Sequence, residues 1–132
     1  MSSQSIPRTT FTDPEVASVG LSSKEAEQLY PATSLATYLV PLSEVDRAIT
    51  DGREEGFIQI TTKKWSSKIL GATLVAPRAG EMLSQVSLAM LFRIPLRKLS
   101  KLIYPYPTYN RALRQAADLW LKQTILGLFR RK

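Results

Sequence analysis

Hydrophobic and polar positions change their spacing several times along this 132-residue chain, and each change marks a candidate element. Ile6 to Thr12, rich in Thr with a Phe, suits a strand. Asp13-Pro14 then turns the chain into a short extended piece from Val16 to Gly20. Ser22-Ser23-Lys24-Glu25 reads as a capping box, with Ser22 as N-cap and Glu25 reaching back to it. It predicts a helix to about Tyr30, stopped by Pro31. Ser34 to Leu42 is extended, and Glu44 to Glu55 is a polar, charged connection. From Gly56 to Lys63, Ile58, Ile60 and Thr62 alternate with Phe57, Gln59 and Thr61, the period of a strand. Lys68 to Ala76 is small and apolar, as a buried strand is, and Trp65-Ser66-Ser67 between the two suits a hairpin loop.

Beyond Pro77 the spacing becomes helical. Gly80 to Arg93 predicts a helix whose apolar residues cover most of its circumference: Met82, Leu83, Val86 and Ala89, but also Leu88, Met90, Leu91 and Phe92. A helix apolar nearly all round is buried on more than one side, and in a domain this small the second side is read as a partner subunit. Pro95 opens a short helical turn containing Leu96, Leu99 and Leu102. In Tyr104-Pro105-Tyr106-Pro107-Thr108-Tyr109-Asn110-Arg111 two prolines among three tyrosines make an extended aromatic turn, with Thr108 where a helix N-cap belongs. Asn110 to about Gly127 is then helical, with Leu113, Ala116, Ala117, Trp120, Leu121, Thr124 and Leu128 on its apolar side. Strands come first and helices gather at the C-terminal end. That order predicts an α+β domain, an antiparallel sheet with helices packed on one side.

Composition narrows the chemistry. Length argues for one domain with one sizeable core. The chain has no cysteine, which excludes a disulfide, a thiolate zinc site or a redox dithiol within it. It has no histidine either, so the commonest proton shuttle near neutral pH is missing. No apolar run reaches the length of a membrane span, and the start, Met1 to Ser5, lacks the basic and apolar regions of a signal peptide. The net charge of +7 is unevenly placed. Residues 1–92 hold 8 Lys/Arg against 10 Asp/Glu, whereas residues 93–132 hold 10 against the single acid Asp118. Such a basic third fits a nucleic acid or an anionic membrane, and equally an acidic region of the same or a partner chain.

Four pieces of sequence line up in order: Phe11-Thr12-Asp13-Pro14-Glu15-Val16-Ala17-Ser18-Val19-Gly20-Leu21; Gly56-Phe57-Ile58 with Ile69 to Val75; Ala79-Gly80-Glu81-Met82-Leu83 opening a helix; and Pro107-Thr108 before Ala112 to Ala117. Together they resemble the C-terminal dimerisation domain of the pyridine nucleotide-disulfide oxidoreductases, the family of dihydrolipoamide dehydrogenase, glutathione reductase and mercuric reductase. The resemblance covers residues 6–118. Residues 1–5 are then a linker or expression remnant, and residues 119–132 a basic amphipathic C-terminal helix extension.

The resemblance implies a homodimer and a parent enzyme that binds FAD and NAD(P)H in upstream domains. Those domains carry the Gly-x-Gly-x-x-Gly loops and the redox cysteine pair that this chain lacks. Alone, the chain is expected to bind no FAD tightly and to pass no electrons. In the family a His-Pro-Thr-x-x-Glu segment reaches the partner's active site, its His acting as acid–base and its Glu orienting the His. Tyr106 and Arg111 occupy those two positions here. A tyrosine with an ordinary pKa near ~10 donates a hydrogen bond at neutral pH rather than accepting a proton. Tyr106 and Pro107 are expected near the partner's flavin. Mercuric reductases are similar in carrying a tyrosine after such an aromatic-Pro lead, though their C-terminal cysteine pair is missing here. The expected dimer interface comprises Leu83, Val86, Ser87, Met90, Tyr104, Pro105 and Thr108. Arg111 in the first helical turn opposes the helix dipole, which points either to an outside anion or carboxylate or to a solvated head group. Tyr106 likewise reads either as a chemical group or as an interface aromatic. The location implied is cytoplasmic, with the apolar, cationic end of the C-terminal helix able to lie on an anionic membrane surface. Nucleic-acid binding is the weaker reading, since no recognised motif accompanies the charge.

Overall fold

The computed structural model describes residues 7–101 and 111–130 and, within the last helix, side chains as far as Thr124. Five strands form one antiparallel sheet: β1 (Arg8–Thr10), β2 (Glu15–Gly20), β3 (Leu35–Pro41), β4 (Phe57–Lys63) and β5 (Ile69–Ala76), in the order β1-β2-β5-β4-β3. The alternation noted in β4 runs through the whole sheet. Val40, Ile58, Leu74 and Ala17 face one another in one cross-strand row, and Tyr38, Ile60, Ala72 and Val19 in the next. All eight are buried and belong to one core. Side chains two residues apart on a strand share a face, so these rows make one continuous apolar surface.

Two helices cover that surface. α3 (Ala79–Leu91) packs on β2 and β5, and α4 (Arg111–Arg130) on β3 and β4. The expected α+β architecture, with an antiparallel sheet and helices against one face, is what forms. The capping box also forms as read: in α1 (Ser23–Leu29) the Ser22 hydroxyl accepts from the Glu25 N–H at 3.1 Å, and the Glu25 carboxylate accepts from the Ser22 N–H at 3.2 Å.

Two elements differ from expectation. The first strand is only Arg8–Thr10, because β1 is an edge strand that pairs with Val16, Ala17 and Ser18 and nothing else. The charged connection from Glu44 to Glu55 is not structureless: it holds a 3₁₀ turn (Leu42–Glu44) and α2 (Asp46–Thr50). Buried Leu42, Val45 and Ala48 supply an i, i+3, i+6 anchor that the surrounding charges hide. α4, by contrast, is one unbroken helix through residues 118 and 119, in line with the helical reading of Asn110 to about Gly127.

The two ends of the sheet carry opposite charge. At the end where β4 starts lie Glu44, Asp46, Asp51, Glu54 and Glu55, with Asp13, Glu15 and Glu81 beside them. At the other end is the β4–β5 hairpin with Lys63, Lys64 and Lys68, followed in space by the 3₁₀ turn Leu96–Lys101.

Candidate functional site

Among the described residues, four exposed large hydrophobics, Leu88, Leu91, Phe92 and Ile94, fall on α3 and its C-terminal cap. α3 begins where the Glu15 carboxylate accepts the Gly80 N–H at 3.1 Å, which places a negative charge on the positive end of the helix. It buries Ala79, Met82, Leu83, Val86 and Ala89. Leu83 and Val86, expected at a subunit interface, are 0% exposed and fill the protomer's own core, so they offer a second copy no side-chain surface. Ser87 and Met90 lie half-buried on the flank, and the Ser87 hydroxyl oxygen is buried without a hydrogen-bond partner. The outward face instead carries Leu88 and Leu91, with Phe92 (66% exposed) and Ile94 beyond the helix end. The all-round apolar pattern was therefore a sum of two faces. A helical wheel separates them, because Leu88 and Leu91 are one turn apart and opposite Val86 and Ala89.

α3 ends in a left-handed cap. Arg93 has φ of 56°, its N–H donates to the Met90 carbonyl at 3.2 Å, and the Ile94 N–H donates to the Ala89 carbonyl at 2.7 Å. Glycine is the usual residue at such a cap. The chain then returns to the hairpin. The Leu96 N–H donates to the Ser67 carbonyl at 2.9 Å, and the Arg97 N–H to the Ser67 hydroxyl at 3.1 Å, while the Arg97 guanidinium donates to the Ser66 carbonyl. Ser67 is buried and itself left-handed, at φ of 56°. The hairpin tip and the turn after α3 are thus one hydrogen-bonded unit.

Of the aromatic arm, Tyr104, Pro105, Tyr106, Pro107 and Thr108 lie outside the described residues. Its far anchor is described. Arg111 is the first residue of α4, half-buried and engaged by an interaction within the chain. Ala112, Leu113, Ala116 and Ala117 seat the first turns in the core. Gln115 donates from Nε2 to the Glu44 carbonyl at 2.9 Å, and Trp120 donates from Nε1 to the Lys64 carbonyl at 2.8 Å. Thr124 is buried, and its hydroxyl, like that of Thr62, is hydrogen-bonded to the Tyr38 hydroxyl. Burial pushes the Tyr38 phenol above its ordinary pKa, and these two hydrogen bonds oppose the shift. α4 is therefore tied to both ends of the sheet, and the tie extends to Thr124.

A dinucleotide needs a helix N-terminus whose N–H groups are open to a pyrophosphate. Here α1 is filled by its own Ser22 and Glu25, and α3 by Glu15. The first turns of α1 and α3 are thus occupied by the chain's own side chains.

A family profile described as the pyridine nucleotide-disulphide oxidoreductase dimerisation domain matches residues 6–117. The chain belongs to this family. It is 31% identical over 115 residues to a dihydrolipoyl dehydrogenase of Halobacterium salinarum, a match that covers 87% of this chain and 24% of the relative. It is 33% identical over 117 residues to a mercuric reductase of Shigella flexneri, covering 89% of this chain and 20% of the relative. Among solved structures, LpdA of Mycobacterium tuberculosis superimposes with a TM-score of 0.82 at 26% identity, over 90% of this chain and 26% of that one. The flavoprotein disulfide reductase RclA of Escherichia coli shares the fold, with a TM-score of 0.82 at 21% identity, over 88% of this chain and 26% of that one. The chain thus spans about a quarter of the length of these relatives.

Proposed function

We propose that this chain is the C-terminal homodimerisation domain of a FAD-dependent NAD(P)H oxidoreductase of the disulfide reductase family. The observation that carries the reading is the family match over residues 6–117. The open Leu88–Leu91 face of α3 supports it, because a two-fold contact needs a self-complementary apolar patch. In this reading FAD and NAD(P)H belong to upstream domains of the parent, and the arm with Tyr104, Pro105, Tyr106, Pro107 and Thr108 reaches the partner subunit's flavin. Tyr106 stands where the resemblance puts the histidine, and Arg111 where it puts the glutamate. The parent then works without the usual imidazole, since a tyrosine there gives a hydrogen bond and no base at neutral pH. That substitution favours a mercuric reductase-like parent, in which a tyrosine holds a bound substrate ion. Relatives of both kinds match this chain at similar identity, so the preference rests on Tyr106 alone.

Light scattering on the size-fractionated chain at tens of micromolar tests the dimer. A dimer is expected, and Leu88→Glu with Leu91→Glu should give a folded monomer. A wild-type monomer would sink the dimer assignment. The parental gene supplies the second test: two Gly-x-Gly-x-x-Gly loops and a Cys-x4-Cys upstream of Ile6 are expected, and their absence removes the flavoenzyme parent.

A further inference from the structure

We propose that the hairpin end of the domain is a docking surface for an anionic phospholipid membrane. The hairpin tip, residues 63–68, and the segment 93–101 together hold seven Lys/Arg and no Asp or Glu. The Ser67 and Arg97 hydrogen bonds fasten the two segments side by side. Eight of the chain's eleven acids sit at the opposite end; α1 brings Glu25 and Glu27 toward this one, together with Lys24, and α4 carries Asp118 along its length. Trp65 (54% exposed), Phe92 and Ile94 are exposed within these same two segments or next to them. The Lys64 ammonium lies 5.5 Å from the Trp65 ring, so cation and indole present together.

That combination selects the occupant. A phosphate-rich surface answers the lysines, and its apolar interior takes a tryptophan, a phenylalanine and an isoleucine, which the backbone of a nucleic-acid duplex would leave in water. Tryptophan in particular favours the headgroup level of a bilayer, where its ring is apolar and its N–H stays wet. No helix among the described residues is long and apolar enough to cross a membrane, so the contact is peripheral. The anchors of the surface are the hairpin, the α3 cap and the turn that follows.

The test uses the 132-residue chain with vesicles of phosphatidylcholine alone and of phosphatidylcholine with phosphatidylglycerol, read by co-sedimentation and tryptophan fluorescence. Binding is expected only to the anionic vesicles, with a blue shift and a loss at high salt. Lys64→Gln with Lys68→Gln should weaken binding by about 25-fold, about fivefold for each lysine near the surface. Trp65→Ser should remove the blue shift while the circular dichroism stays native. A chain ending at Thr124 should keep most of the binding. Equal binding to both vesicle types, an unchanged affinity of the double lysine variant, total loss in the chain ending at Thr124, or binding to duplex DNA or RNA in place of vesicles would each overturn the proposal.

Discussion

Trp120 lies three residues past the end of the family match, so replacing it asks whether α4 beyond residue 117 is part of the folding unit or an appendage. Trp120 is 7% exposed and belongs to the central apolar cluster with Ala116, Ala117 and Leu113. A buried tryptophan removes about 150–250 Å² from water, worth about 4–6 kcal/mol at about 25 cal/mol per Å². Measured truncations of large core aromatics to alanine cost about 3–5 kcal/mol, so Trp120→Ala should cost about 4 kcal/mol. Trp120→Phe keeps most of the ring but loses the 2.8 Å bond to the Lys64 carbonyl. That carbonyl is only part-buried and can turn to water, which sets the loss at about 1–2 kcal/mol. Urea unfolding followed by circular dichroism, at one fixed protein concentration, reads both. With a slope of about 2 kcal/mol per molar, the midpoint should fall by about 2 M for alanine and about 0.5–1 M for phenylalanine. Leu121→Ala, on the exposed side of the same turn, is the control and should stay within about 0.5 kcal/mol of wild type. If Trp120→Ala behaves like Leu121→Ala, the helix past residue 117 does not share the cooperative unit, and the reasoning fails.

Three further substitutions follow from single positions. Arg93→Gly should stabilise the protein by about 0.5–1 kcal/mol, since the residue is left-handed at φ of 56° and only its conformational cost changes; a lower melting temperature would show that the Arg93 side chain matters more than its backbone. Gly71→Ala should cost at least about 3 kcal/mol, because a Cβ there would lie 1.9 Å from the Leu21 carbonyl oxygen and 2.6 Å from its nitrogen, and backbone cannot step aside as a side chain does; an unchanged melting temperature refutes it. Tyr38 should add a pH dependence on the alkaline side. Its phenol is raised in the folded state, so both states are neutral below the ordinary value near ~10, and above it the unfolded chain ionises first and stability falls as pH rises toward the folded value. Wild type should therefore lose stability more steeply above about pH 10 than Tyr38→Phe does, and parallel profiles would remove Tyr38 as the cause.

The sheet was legible because its signal is local and repeated. Ile58 and Ile60 alternate with Phe57 and Gln59, and Trp65-Ser66-Ser67 breaks the pattern at the hairpin. Ser22 and Glu25 likewise announce α1 within four residues. The same local logic missed α2, since Leu42, Val45 and Ala48 are three apolar residues among seven charges and their burial depends on what the rest of the chain brings over them. The spacing carried α4 as one helix through Trp120 and Thr124 without naming what they pack against. Trp120 and Thr124 continue the helix's buried stripe, but the partners that hold them, the Lys64 carbonyl and the Tyr38 hydroxyl, come from strands more than fifty residues earlier. No sequence window contains such a pair.

The candidate site divides along the same line. The case for the chemistry of the Tyr106 arm rests on residue identity, because a missing imidazole is visible in any sequence that lacks it. The open face of α3 is a matter of assembly. Counting apolar residues on α3 gives a buried helix, and only the sheet decides that Leu83 and Val86 turn inward and Leu88 and Leu91 outward. The charge follows the same rule. Along the chain the basic excess looks like a property of the last forty residues, and it suggested a C-terminal tail lying on a membrane. In the fold, Lys63, Lys64 and Lys68 from the middle of the sequence join Arg93, Arg97 and Lys98 at one end of the sheet. Part of the supposed tail, meanwhile, is fastened into the core at Trp120 and Thr124. Deleting residues 120–132 would therefore remove core as well as charge, and a membrane assay built on that deletion would confuse unfolding with loss of contact. Cutting after Thr124 and changing Lys64 and Lys68 separates the two.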